Sequence, residues 1–483
     1  MLFPSLEYVV FLPLAALAYH AVPARHRWAV LVATGVAFLG FVSPVHAAIA
    51  LGMAAVNFGT GLGLERWADT PRGTRVLWLA LLFDVGVLGY FKYQGFLLQN
   101  VNSLALLAGV APPFRARALL LPLGISYYTF QLIGYNLEIH WGRESAEKHF
   151  GRFAASVLFF PKLIAGPIER PHRFLAQLAA SRPFRAEDLE AGLVQIGWGL
   201  FKKCVIADRV ALVVDLVYQS PRELTGLPLL IGMFAYVVQV YNDFSGYTDI
   251  ALGSARILGI ELSPNFNHPF SARSVTDFWR RWHISLSSWT NDYIYKPLSM
   301  YVSLETNWGK GGLVLSILVT FFVLGFWHGP SFTFIVFGLI QGAAVSLEFV
   351  TQRTRGAALA KLPARISDLL RHAATLTFYA LSCVFFRART VGDAVYIISH
   401  AFRGVGDLRA LQRFAPLTYH LGVLALFLAA LGLLRARPVE WLAAQRAQRA
   451  QRTWARWPLY YAVIISVLVF GLFEINQFVY VQF

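Results

Sequence analysis

The run G-L-V-L-S-I-L-V-T-F-F-V-L-G-F-W, from Gly312 to Trp327, ends on His328 and is cut off by Gly329-Pro330. It starts just after Lys310 and holds sixteen residues. At about 1.5 Å per residue such a helix reaches roughly 24 Å, less than the ~30 Å hydrocarbon thickness of a bilayer. Proline cannot continue a helix, so the segment must stop there. His328 is therefore expected inside the membrane envelope, at a helix end facing a cavity. The last carbonyls of that helix must find partners or water.

Working outward, the whole chain is apolar. Of 483 residues, 57% are hydrophobic and only 14% are charged, whereas soluble domains carry about a quarter charged residues. Apolar runs recur along the chain, giving roughly eleven to thirteen membrane segments, several of them short or broken. The expected fold is all-α, a polytopic integral membrane protein of one domain over 1–483, with its core motifs between Pro122 and Val350. No soluble domain, internal repeat or low-complexity tail is apparent. The two cysteines, Cys204 and Cys383, imply no disulfide framework and read as buried apolar side chains.

The net charge of +16 does not mark a nucleic-acid binder, because the basic residues sit in loops between apolar runs. No Lys or Arg precedes the first span, roughly Leu6 to Ala21, while Arg25 and Arg27 follow it directly. That span reads as retained, not as a cleaved signal. It places the N-terminus outside and the next loop in the cytoplasm. Two runs then form a hairpin split at Ser43-Pro44, returning to Arg66, Arg72 and Arg75. The loops holding Arg353, Arg355, Lys361, Arg365 and Arg371, and Arg435, Arg437, Arg446, Arg449, Arg452 and Arg456, are expected on the same cytoplasmic side. An even number of spans between these loops leaves Phe483 outside. Trp441, Trp454 and Trp457 give the last of these loops the character of an interfacial anchor.

Polar groups concentrate in the middle of the chain. Pro161, Gly166 and Pro167 interrupt an apolar run that holds Lys162, so a kinked or re-entrant segment is expected, buried in protein or lining a wet cavity. Asp243 and Asp249 lie in Y-N-D-F-S-G-Y-T-D. They read chiefly as ion-pair partners, for instance of the arginines near Trp279, and otherwise as binders of a substrate amine or a metal. D-F-W-R-R-W-H-I-S-L-S-S-W, Asp277 to Trp289, places His283 among Arg280, Arg281, Trp279 and Trp282. If that string is one helix, Trp279 and His283 share a face with Leu286. Ionisable groups among membrane segments are costly, so His283 and His328 are functional candidates.

The strings P-L-G-I-S-Y-Y-T-F-Q, P-K-L-I-A-G-P-I-E-R, D-F-S-G-Y-T-D-I-A-L-G, N-F-N-H-P-F, D-F-W-R-R-W-H-I-S-L-S-S-W and W-H-G together resemble the membrane-bound O-acyltransferases, in their bacterial alginate O-acetyltransferase-like branch. The likeness runs from Leu2 to the V-F-F-R-A that begins at Val384. It implies a ring of membrane helices around a thin central partition, with a funnel on each side, in a multi-pass protein of the bacterial inner membrane. It implies acyl transfer from a cytoplasmic donor, acetyl-CoA or a phosphopantetheine-carried acyl group, towards an extracytoplasmic polysaccharide, with a periplasmic SGNH-type partner. On the family pattern the W-H-G histidine, His328, is the catalytic candidate, followed by His283. Three features depart from that pattern. Ser299-Met300-Tyr301-Val302 stands where G-G-N-R is usual, Thr290-Asn291 where an aromatic-arginine pair is usual, and Gln341 where a third histidine is usual.

The residue types suit that chemistry. Acyl transfer from a thioester to a hydroxyl needs a base, and a neutral imidazole with a reference pKa near 6.5 supplies one. His328 takes that role. His283, Trp279 or Trp282 can polarise the acyl carbonyl or orient the base, with Trp327 and Asn291 as further positioning candidates and Asp243 as a binding one. Arg280, Arg281 and, less strongly, Lys202-Lys203 can meet a phosphorylated donor. Peptidoglycan O-acetylation and D-alanyl transfer to teichoic acid are alternatives within the family. A channel or proton-coupled transporter is the alternative of another class, since broken helices and midplane polar groups suit it too.

Overall fold

The computed structural model describes residues 3–114, 119–180, 182–433 and 457–473. Among them every regular element is helical. Six helices are long and apolar enough to cross a membrane: α1 (Pro44–Arg66), α2 (Pro71–Leu107), α3 (Leu227–Ile257), α4 (Gly309–His328), α5 (Phe332–Val350) and α6 (Ala364–Arg387). Shorter apolar helices, Leu6–Ala21 and Tyr460–Phe470, accompany them. The larger number expected from sequence counted short and broken runs with the long ones. Large apolar side chains such as Leu17, Leu82, Leu104 and Leu347 are exposed, as lipid contact requires.

Local signals explain the helix limits. Ser43 accepts a hydrogen bond from Val45 N and Pro44 takes the first helical position, so the hairpin opens α1 where it was expected. The stretch 159–168 is buried throughout and only briefly helical. Lys162 donates to Gln131 Oε1 at 2.8 Å, and Ile168 N donates to Ser285 Oγ at 3.0 Å. The broken segment is thus enclosed by protein, one of the two settings such backbone tolerates.

One expectation is corrected. α4 holds 20 residues, because Gly309, Lys310 and Gly311 join its first turn and His328 its last. Lys310 is exposed at the helix end, where a long cationic stem can reach water. The helix is about 30 Å long and needs no shortening to span. What places His328 in the interior is its burial, at 4% exposure.

Two packing devices bear on the site. The helix Ala186–Leu200 lies against α3 along a seam of glycines: a Cβ on Gly246 would sit 2.8 Å from the Gly199 carbonyl oxygen, and one on Gly253 would sit 2.6 Å from that of Gly192. Second, the described residues contain π-helical turns at Gly89–Tyr93 within α2, at Phe201–Ala207 and at Asn291–Tyr295. Such wide turns frequently sit at functional sites. The basic loop residues Arg435 to Arg456, with Trp441 and Trp454, lie outside the described residues, and Trp457 opens the last described helix, Trp457–Phe470.

Candidate active site

His328 is the last residue of α4, and Ser331 caps α5 three residues later. The end of α4 is tied down by two neighbours on the π turn of α2. Tyr93 Oη donates to Phe326 O at 2.8 Å, and Lys92 Nζ donates to Trp327 O at 2.7 Å and, at greater length, to His328 O at 3.4 Å. These bonds answer the sequence-based question of where the final carbonyls find partners. The imidazole sits in an aromatic cage, with ring centroids 4.9 Å from Phe386, 5.2 Å from Trp327 and 6.3 Å from both Phe334 and Phe337.

His283 is fully buried and packs on the same tryptophan, its ring 6.0 Å from Trp327 and 4.6 Å from Phe244. Its backbone is left-handed at φ 44°, between the helices Val275–Trp279 and Ile284–Thr290. The string therefore does not form one helix, and Trp279 and His283 do not share a helical face. A β-carbon in this region costs about 1–2 kcal/mol, and Asn265 holds the turn against that cost. Ile284 N donates to Asn265 O at 2.9 Å, and Ser285 Oγ donates to Asn265 Oδ1 at 2.6 Å. The N-F-N-H-P-F string is thus the clamp of the histidine turn.

Trp279 stands between two spaces. On one side lies a vestibule of about 840 Å³, lined by Arg280, Ser287, Asn291, Thr320, Glu348 and Arg355 among others. It follows one face of α4 through Ile317, Thr320, Phe321 and Leu324, ending one helical turn short of His328. On the other side is a cavity of about 10 Å³, lined by His328, Tyr236, Trp282, Phe337, Tyr379, Cys383 and Phe386. That volume suits about one water molecule. Trp279 lines both spaces. Its indole Nε1 donates to Gln341 Oε1 at 3.1 Å, and Gln341 Nε2 donates to Ser382 Oγ at 2.7 Å, so the ring is tethered through α5 to α6.

Several sequence candidates fall elsewhere. Arg281 turns to Asp277 at 2.8 Å and to Ser271 at 3.3 Å, and is absent from the vestibule lining, whereas its neighbour Arg280 lines it. Asp243 is an ion-pair partner as the leading reading held, but of Lys203, at 2.6 Å, and not of the arginines near Trp279. Asp208 also pairs with Lys203 at 2.9 Å, and Lys202 pairs with Asp249. Both lysines are buried in a carboxylate cluster, which removes them from donor binding and from the loop surface alike. Asn291 does reach the vestibule, with its amide donating to Asp292 Oδ1 at 3.2 Å. Trp282 and Trp327 join the histidines.

Sequence reasoning missed Lys92, Tyr93, Glu348 and Tyr236. For Lys92 a signal existed: it is a lone charge in the run V-L-G-Y-F-K-Y-Q-G-F-L-L. Glu348 had none, since its role depends on α5 meeting the helix Val275–Trp279. There its carboxylate accepts from Val275 N at 2.8 Å and Thr276 N at 3.0 Å. Gln341 was noticed only as a departure, and its link to Trp279 comes from the fold.

Two buried histidines thus pack on one tryptophan, Trp327, close to a vestibule that Trp279 also lines. Residues 144–386 match the membrane-bound O-acyltransferase family, and the chain belongs to that family. It is a multi-pass bacterial membrane protein. The chain is 35% identical to the probable alginate O-acetylase AlgI of Azotobacter vinelandii over 70% of its own length and 66% of that relative. It is 32% identical to the probable alginate O-acetylase AlgI of Pseudomonas aeruginosa over 86% of its length and 78% of the relative. With the peptidoglycan O-acetyltransferase of Helicobacter pylori it shares 31% identity, over 80% of this chain and 77% of that one. The first of these matches thus spans just under two thirds of the relative's length.

Proposed function

We propose that the chain transfers an acyl group, acetyl in the simplest case, from a thioester in the vestibule to a hydroxyl acceptor that approaches from the opposite side, with His328 as general base. The observation that carries this reading is the position of Trp279, which lines both a vestibule large enough for a pantetheine-like arm and the tight cavity holding His328. Arg355, which lines the vestibule, belongs to the basic stretch between α5 and α6 that the positive-inside rule assigns to the cytoplasm. Arg280 and Arg355 suit the phosphates of acetyl-CoA or of a phosphopantetheine carrier.

In this mechanism the acceptor hydroxyl gives its proton to the imidazole as its oxygen bonds to the acyl carbon. The carbonyl electron pair moves onto oxygen, giving a tetrahedral oxyanion. Its collapse breaks the C–S bond, and the imidazolium returns the proton to the departing thiolate, so histidine ends neutral. His283, held by its strained turn, orients the acyl group or the base. The hydroxyl that meets His328 belongs to a periplasmic SGNH-type partner, which hands the acyl group on to an extracellular polysaccharide; the alginate O-acetylases among the relatives support the polysaccharide. The Helicobacter pylori relative supports peptidoglycan as a second acceptor class.

The test is reconstitution of purified wild type and His328→Gln with acetyl-CoA or an acylated carrier plus the partner, reading acyl product by mass spectrometry. Wild type is expected to form product and His328→Gln is not. Product at the wild-type rate from His328→Gln would remove the base, and flux without acyl product under any donor would favour a transporter. Sidedness is tested separately: a cysteine at position 365 should label only after cells are permeabilised.

A further inference from the structure

We propose that Lys92 is a positioning residue for acyl transfer, acting through the last turn of α4 on His328; this rests on the reading of His328 given above. Lys92 is 8% exposed and forms no ion pair with a carboxylate among the described residues. Its acceptors are Trp327 O at 2.7 Å, Ser126 Oγ at 3.1 Å and His328 O at 3.4 Å. Lysine has three N–H donors, so this tripod uses every one of them. The rings of Tyr93 and Trp327 each lie 5.7 Å from the same nitrogen.

The contrast with the other buried lysines is informative. Lys203 sits between Asp208 and Asp243, and Lys202 pairs with Asp249. A buried cation without a counter-charge is costly, and a neutral side chain there would avoid that cost. Two physical effects offset it. First, the ammonium fixes the carbonyls of Trp327 and His328, and with Tyr93 on Phe326 O it locks the end of α4 to α2. Displacing a reacting group by about 1 Å can cost about 100-fold in rate. Second, the C-terminus of a helix carries roughly half a negative charge. An acyl oxyanion forming near His328 would be repelled by that end, and Lys92 neutralises it. The π turn Gly89–Tyr93 aims two consecutive side chains, Lys92 and Tyr93, at the same helix end.

The experiment uses the full-length protein in the reconstituted assay, with Lys92→Met, Lys92→Arg, and Lys92→Met combined with His328→Gln. Lys92→Met should lower kcat by about 10- to 100-fold, with donor KM within about twofold and unchanged thermal unfolding. Lys92→Arg, which keeps charge and donors, should recover at least about tenfold of a 100-fold loss. On the His328→Gln background, Lys92→Met should change the residual rate by less than about twofold, because residues acting as one unit are not additive. Where Lys92→Met does not yield folded protein, Ser126→Ala carries the test, since it frees one N–H and should lower kcat by about three- to tenfold. A kcat for Lys92→Met within twofold of wild type, or a full loss repeated on the His328→Gln background, overturns the proposal. A wild-type rate for His328→Gln alone breaks the base assignment instead.

Discussion

Two buried polar regions of this protein look alike in sequence and differ in kind. Around Lys203 cations and carboxylates face each other directly: Asp208 and Asp243 flank one ammonium, and Lys202 meets Asp249. Around His328 the histidines are ringed by aromatic side chains, and the nearby cation, Lys92, is bonded to neutral oxygens. The first region joins α3 to the π turn Phe201–Ala207 and the helix after it. The second adjoins a cavity and, across Trp279, a vestibule of about 840 Å³. Direct ion pairing suits a group that holds helices together, whereas polar atoms beside accessible space suit a group that meets a substrate.

This comparison can be broken by mutation. The largest effect should come from His328→Gln, with acyl transfer down about 10²- to 10⁴-fold and unchanged elution and thermal unfolding. An equal loss of folded protein would move His328 into the structural class. Asp243→Ala should do the reverse. Asp208 still pairs with Lys203 in that variant, so the loss should stay below the about 3–5 kcal/mol of a fully uncompensated buried charge, and folded yield and unfolding temperature should fall. The specific activity of whatever remains folded should stay within about threefold of wild type, as expected for a site apart from the chemistry. His283→Ala should lose about 90% or more of acylation in well-folded protein, given the weight of positioning in catalysis. Near-normal product from that variant would make His283 a packing residue. The smallest effect belongs to Arg281→Ala, whose half-exposed pair with Asp277 is worth about 1 kcal/mol or less. Donor KM should be unchanged there, while Arg280→Ala should raise it, and a reversal between these two neighbours would redraw the vestibule wall.

The membrane class, the hairpin at Ser43-Pro44, the buried break near Pro161 and the two histidines were legible in the sequence, because each depends on a local run or a chain-breaking residue. The partners of Asp243 were not, since Lys203 comes from a separate helix that meets α3 along a glycine seam. The orientation of Arg281 against Arg280 was hidden for another reason. It depends on which face of that segment meets the space beside α4 and α5, a matter of tertiary packing. The length of α4 was misjudged because Lys310 was read as a boundary when it is only an exposed first-turn residue.

The π turn in α2 makes the numbering of that helix unforgiving. Each residue of an α-helix advances its side chains by about 100°. A π turn amounts to one inserted residue absorbed without breaking the rod. Deleting a single residue anywhere between Gly89 and Tyr93 would restore regular hydrogen bonding and leave composition and hydropathy almost untouched. It would also rotate the thirty-seven-residue helix against itself, turning either Lys92 and Tyr93 or the upstream face that packs with α1 away from its partner. In a segment that by hydropathy is merely greasy, phase is what the chain must preserve, and a one-residue gap here should be far more damaging than most substitutions around it.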